Sequence, residues 1–272
     1  MAHPTLAFIG GGNMAGAIIR GLLRGGWPAA AISVVEPGAE PRERLAAAHP
    51  GVRVLAAADA TLASAEIVVW AVKPQSFAAA AAPCAAHVGR ALQLSVMAGI
   101  RSDAIAQASG SPRVVRAMPN TPALIGLGIA GLYARAAVSA GDRGAVERVL
   151  APTGQLLWFE REEQLDAVTA LSGSGPAYVF FFLEAMIDAA EPMGLSREQG
   201  RTLALATFAG ASALAMQSNE SPSVLRERVT SKGGTTHAAL ESLRADAMAA
   251  AIVRAVRAAE QRARELGDQF GA

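Results

Sequence analysis

The stretch LAFIGGGNMAGAIIRGLL, residues 6–23, decides the reading of the fold. Leu6 to Ile9 is a short apolar run without polar alternation, as expected of a strand buried on both faces. From Asn13 to Arg24 the apolar residues recur at helical spacing, and Gly25-Gly26 ends the helix. Between them, Gly10, Gly12 and Ala15 fit the pattern G-x-G-x-x-[GA]. Gly10 permits a tight turn, Gly12 lets the backbone approach a pyrophosphate, and small Ala15 lets helix and strand pack closely. The helix N-terminus, at Asn13 and Met14, offers free N–H groups to phosphate. An acid, Glu36, ends the next strand. At a first strand–helix junction this combination reads as a dinucleotide site; an ordinary glycine-rich turn is the competing reading.

Working outward, short apolar runs alternate with helical stretches. Strands are expected at 32–35, 52–54, 66–70, 92–95 and 114–117, then at 126–132 and 155–159 toward an edge. Helices are expected at 41–49, after Pro74, and at 142–150. This alternation predicts an α/β fold, a Rossmann-type doubly wound sheet. After residue 162 strand signals stop, and 165–171, 178–190, 198–216, 224–229 and 246–266 all read as helical. The expected division is therefore a dinucleotide-binding domain over 1–162 and an all-α domain over 163–272. Segments such as AYVFFFLEAMIDAA and LALATFAGASALAM leave little polar face for water. A helical domain of that size does not bury them alone, so packing against a second subunit is expected.

Composition excludes other classes. Apolar residues are 52% of the 272 and charged residues 17%, which rules out wholesale disorder. Lys plus Arg number 24 against 23 Asp plus Glu, and no basic run occurs, so no nucleic-acid partner is expected. The single cysteine, Cys84, excludes an intrachain disulfide and a multi-cysteine metal site, and the four histidines lack ligand spacing. No uninterrupted apolar run reaches the ~18 residues of a membrane span. With no signal-like N-terminus, a cytoplasmic protein is expected.

Four further motifs carry chemistry. Ala71-Val72-Lys73-Pro74 closes the strongest strand, on the ligand side of a doubly wound sheet. It places one of only two lysines there. Val96-Met97-Ala98-Gly99 and Met118-Pro119-Asn120 close two more strands. Their small residues permit approach to a flat ring, and Asn120 adds a donor and an acceptor. Ser172-Gly173-Ser174-Gly175-Pro176 is expected to break a helical pattern, with Ser174 and Pro176 capping a new helix. Thr230-Ser231-Lys232-Gly233-Gly234-Thr235-Thr236 is the densest polar cluster. Ahead of a helix it forms an anion nest suited to a small carboxylate; a polar connector is the plain alternative.

Together the stretches FIGGGNMA, WAVKP, SVMAGI, RAMPNTPAL, LDAVTALSGSGPAYVF and VTSKGGTTHAALESL resemble the pyrroline-5-carboxylate reductase family. The resemblance spans nearly the whole chain. It implies reduction of L-1-pyrroline-5-carboxylate to L-proline by NADPH or NADH, and a C-terminal dimerisation domain whose homodimer shares active sites between subunits, with a larger ring as a further level of assembly. It implies cofactor contacts at Gly10, Gly12, Asn13, Met14, Ala15, Glu36, Ala71, Val72, Lys73, Pro74, Ala98, Gly99 and Asn120. Substrate would be held by Ser174, Ser231, Gly233, Gly234, Thr235 and Thr236. The hydroxyl of Thr236 would meet the ring nitrogen, with Ser231 assisting and Glu220 the nearest candidate carboxylate. No metal is implied.

Two other classes are weighed. A β-hydroxyacid dehydrogenase would use a lysine on a second-domain helix, whereas Lys232 lies in a glycine-rich loop. A non-catalytic NAD(P)-sensing module would not need the nest. Cofactor choice stays open at this point. Glu36 favours a ribose 2′-hydroxyl, hence a modest NADH preference, but Pro37 could turn the carboxylate away and Arg42 and Arg44 could clamp a 2′-phosphate.

Overall fold

A computed structural model describes residues 3–270. Eight strands form one sheet in the order β3-β2-β1-β4-β5-β6-β7-β8. They are β1 (Leu6–Ile9), β2 (Ile32–Val35), β3 (Arg53–Leu55), β4 (Ile67–Trp70), β5 (Leu92–Ser95), β6 (Val114–Pro119), β7 (Gly128–Ala134) and β8 (Gly154–Phe159). The first six run parallel; β7 pairs antiparallel with β6 and parallel with β8. Order 3-2-1-4-5-6 is that of a dinucleotide-binding sheet. Its reversal lies between β1 and β4, where Ile9 faces Trp70 across the ladder.

Helices on this sheet are α1 (Asn13–Arg24), α2 (Ala39–Ala48), α3 (Phe77–Ala81), α4 (Ala85–Val88), α5 (Ser102–Ser109), α6 (Ala140–Leu150) and α7 (Gln164–Val168). The central strands are buried on both faces, as their unbroken apolar runs require. One apolar cluster joins Phe8, Ile18, Ile19, Val69, Leu94 and Val149; the opposite one joins Ile9, Trp70, Phe77, Val88 and Ile105. Gln93 is the polar exception in β5. It accepts from the indole of Trp70 at 2.9 Å and donates to the carbonyls of Val88 and Ala91, so its burial leaves no orphaned amide.

The remaining helices are α8 (Gly175–Ala190), α9 (Arg197–Gln217), α10 (Pro222–Arg228), α11 (Thr235–Ala245) and α12 (Met248–Phe270). Two compact units result, one of residues up to Ser174 with the chain from Ala259 onward, the other Gly175–Ala258. The first unit thus extends past the 162/163 division read from the sequence. Leu165, Asp166 and Ala170 are buried in it, and the end of α12 returns to it, with Leu266 against Gly99 and Gly267 against Arg101. The helix α5, and α11 as an element separate from α12, were not resolved by the sequence patterns. Ala247, at φ +49°, breaks the chain between α11 and α12.

Residues 172–176 differ from expectation. Ser172 and Gly173 complete a π-turn, Thr169–Gly173, in which the Ser174 N–H reaches the Thr169 carbonyl at 2.8 Å, and α8 follows at Gly175. Ser174 keeps helical angles and is not an N-cap. Gly173 packs against the Met118 methyl group, which would have to shift to admit a Cβ, 2.7 Å away. Among the described residues, the helical run Gln164–Met193 is long and apolar enough to cross a membrane by length and composition.

Candidate functional site

A cleft of about 550 Å³ opens at the β1/β4 switch point. Its floor is the turn after β1. Gly10, at φ +95°, lies so close to the end of β4 that a Cβ would meet the Ala71 carbonyl at 2.8 Å. The Gly10 N–H donates to Val35 and the Ala71 N–H to Ile9, tying the turn to β2 and β4. Gly12 is the N-cap of α1, has no capping side chain, and has open space where a Cβ would be. The N–H groups of Asn13, Met14 and Ala15 form the first turn and have no intrahelical acceptor. An exposed, uncapped helix N-terminus beside a side-chain-free glycine is a fitting cradle for a pyrophosphate.

Glu36 stands at the rim. Its Oε2 accepts from the Gly11 N–H at 3.0 Å and its Oε1 from the Gly38 N–H at 3.1 Å. The opposite wall is Ala56, Ala57, Ala58, Ala79, Pro83 and Cys84, an apolar slot of small side chains. None of these residues was among the cofactor contacts expected from the sequence. Cys84 is buried, and burial pushes its thiol up to about 11, so it stays protonated and works as a small apolar wall. Lys73 lines the cleft at the end of β4, and Pro74 opens the following 3₁₀ turn.

The structure thus gathers Gly10, Gly12, Glu36, Ala71, Val72 and Lys73 around one cleft, with Asn13, Met14 and Ala15 opening the adjacent helix. Pro74, Ala98, Gly99 and Asn120 are not among its lining residues. Gly99 packs toward Leu266, and the Asn120 Oδ1 accepts from the Ile129 N–H at 3.0 Å, joining β6 to β7. Ser174 is half-buried beside Gly173 in the same unit.

Sequence reasoning missed a charged cluster behind the 96–101 loop. Arg101 makes two hydrogen bonds to Asp166, at 3.1 and 2.9 Å. Arg116 bonds Glu162 at 2.7 Å, and Glu162 also accepts from the N–H and hydroxyl of Ser102. Burial opposes the charge on Arg101, but Asp166, Glu162 and Asp268 outweigh it and hold its pKa up. Arg116, deep within the sheet, is pulled down by burial against the opposing pull of Glu162. The available signal was a lone arginine inside the apolar strand VVRAMP: a charge there demands a buried partner.

In the second unit, Gly234 is the N-cap of α11 with no capping side chain, and Gly233 takes φ +73°. The first-turn N–H groups of Thr235, Thr236 and His237 have no intrahelical acceptor. Ser231 folds beneath them: its carbonyl accepts from the Gly234 N–H at 3.0 Å, and its hydroxyl occupies the space a Cβ on Gly234 would need. The nest can hold a small anion with backbone donors and flanking hydroxyls. Glu220 is turned to Arg228, at 2.5 Å, and has no hydrogen bond to residues 231–236 among the described residues. Beyond the nest this unit exposes Phe180, Phe181, Leu203, Leu214 and Met216.

Comparison with known proteins agrees with this geometry. Residues 162–266 match the family model described as pyrroline-5-carboxylate reductase dimerisation, and residues 5–99 the model described as NADP oxidoreductase, coenzyme F420-dependent. A pyrroline-5-carboxylate reductase of Pseudomonas aeruginosa is 45% identical, covering 100% of both chains. One from Haemophilus influenzae is 40% identical over 99% of this chain and 100% of its own. The structure of a pyrroline-5-carboxylate reductase from Coxiella burnetii superposes with TM-score 0.90 at 33% identity, covering 97% of this chain and 98% of its own. That of Plasmodium falciparum pyrroline carboxylate reductase with NADP bound gives 0.87 at 27% identity, covering 98% and 99%.

Proposed function

Because this chain belongs to the pyrroline-5-carboxylate reductase family, we propose that it reduces L-1-pyrroline-5-carboxylate to L-proline at the expense of NADH or NADPH, the last step of proline synthesis. The observation that carries this reading is the pairing of a dinucleotide cleft with a carboxylate-sized nest in a chain that aligns end to end with such reductases.

The reduced nicotinamide supplies a hydride. The protein's part is to hold and orient. Gly10, Gly12 and the first turn of α1 take the pyrophosphate, and Lys73 adds positive charge at the cleft edge. The N–H groups of Thr235 and Thr236, with the Gly233 backbone and the Ser231 hydroxyl, take the substrate carboxylate, while the Gly234 N–H is held by the Ser231 carbonyl. The Thr236 hydroxyl bonds the ring nitrogen and fixes the face of the C=N bond presented to the hydride. The substrate reacts as the protonated imine. Its carbon gains the hydride and its nitrogen keeps the proton, so no side-chain acid is needed. Glu220, committed to Arg228, serves the loop before α10 rather than the chemistry.

We assign the exposed apolar helices to a homodimer interface, and the Gln164–Met193 run to that interface rather than to a lipid phase. Assembly of dimers into a larger ring and a cytoplasmic location complete the proposal; the single buried thiol suits a reducing compartment. Supplying the purified protein with pyrroline-5-carboxylate tests it. NADH or NADPH should be consumed and proline formed in equal amount. A folded protein that binds either cofactor but forms no proline favours a sensing module instead.

A further inference from the structure

The rim of the cleft carries a charge arrangement that bears on which dinucleotide enters. Glu36 is held in place rather than mobile: each carboxylate oxygen accepts a backbone N–H, one from Gly11 in the glycine turn and one from Gly38. Both donors are glycines, and a Cβ on either would press on the carboxylate, at 3.3 Å from Gly11 and 3.2 Å from Gly38. Pro37 therefore does not turn the side chain away. Each of the two arginines that sequence offered as phosphate clamps has a partner within the protein. Arg42 donates one nitrogen to the carbonyls of Glu36 and Pro37, at 3.2 and 3.0 Å, bracing the acid's own backbone. Arg44 lies along exposed α2, 3.4 Å from Glu40. Among the cleft-lining residues the charged side chains are Glu36 and Lys73. Lys73 follows β4 and Glu36 follows β2, on either side of the glycine turn that ends β1.

We propose that Glu36 is the residue by which this reductase selects a dinucleotide with a free ribose 2′-hydroxyl, NADH over NADPH. Each carboxylate oxygen accepts one backbone N–H and retains a second lone pair for a ribose hydroxyl. A 2′-phosphate in the same place brings two or more negative charges directly against a half-buried carboxylate that its two backbone N–H bonds hold at the rim. The NADP named for the Plasmodium falciparum structure makes this a property of the present chain's rim rather than of the fold.

The inference rests on the proposed cofactor cleft but not on the identity of the substrate, so its test omits the imine. Titrating the full-length protein with NADH and NADPH by nicotinamide fluorescence, and with 5′-AMP and 2′,5′-ADP as competitors, reads the preference directly. NADH should bind at least about tenfold more tightly than NADPH, and 5′-AMP should outcompete 2′,5′-ADP. Glu36→Ser should move both ratios toward the phosphorylated ligand by about tenfold or more. Equal or tighter NADPH binding by the unaltered protein overturns the proposal, as does a ratio that Glu36→Ser leaves in place. Failure to form proline with discrimination intact would instead sink the substrate assignment.

Discussion

Thr236 occupies the second position of α11, where backbone N–H and side-chain hydroxyl lie together at an uncapped helix end. If that hydroxyl meets the ring nitrogen, Thr236→Val keeps the shape and removes one hydrogen bond. The expected loss is about 1–3 kcal/mol of transition-state stabilisation, or about 5- to 150-fold in kcat/KM, with cofactor affinity unchanged. Steady-state kinetics with cofactor binding measured separately checks this; an unaltered kcat/KM removes Thr236 from the mechanism. At this scale the glycine turn, Lys73 and the 230–236 cluster were legible because their chemistry is local to a few adjacent residues. Glu36 was legible by position, but its orientation was not, since it depends on N–H groups from Gly11 and Gly38. The Arg101–Asp166 and Arg116–Glu162 pairs were hidden for the same reason, each partner lying more than forty positions away.

Among the elements, α6 shows how local sequence fixes a boundary and tertiary charge then reinforces it. Ser139 and Asp142 form a reciprocal capping box at its start, and Asp142 also receives Arg113 from the segment before β6 at 2.5 Å. Burial would raise the Asp142 pKa, but the hydrogen bonds and charge of Arg113 and the Ser139 donors outweigh it and hold it below 3.8. A depressed folded-state pKa means that this contribution is present above pH 3.8 and fades as pH falls through the lower folded value. Asp142→Asn should cost about 1 kcal/mol at neutral pH and flatten the acid side of the stability curve below pH 4. Melting temperatures across that range check it; parallel curves for the two proteins would contradict it. Strands β1, β2 and β5 lay where their apolar runs put them. The 172–176 segment was read as a break with caps because Ser, Gly and Pro are favoured at helix N-termini, whereas Ser172 and Gly173 close a π-turn. Gly173 there packs against the end of the Met118 side chain, a contact distant in sequence.

At the scale of the molecule, the exposed apolar side chains of the helical unit are the largest unpaid hydration cost in the monomer. Phe181 is 67% exposed and Met216 72%. A second copy of the chain is the partner the dimerisation family implies. Light scattering should therefore give at least twice 27.8 kDa at micromolar concentration, and an active monomer would contradict the assembly. The central claim, that this chain moves a hydride from a nicotinamide to an imine carbon, has one most direct measurement. NADH or NADPH carrying deuterium at the transferred C4 position is supplied with unlabelled pyrroline-5-carboxylate, and the proline is analysed by mass spectrometry and NMR. Proline bearing a single deuterium at the former imine carbon is the predicted result; unlabelled proline, or none from a folded and cofactor-bound protein, would contradict it.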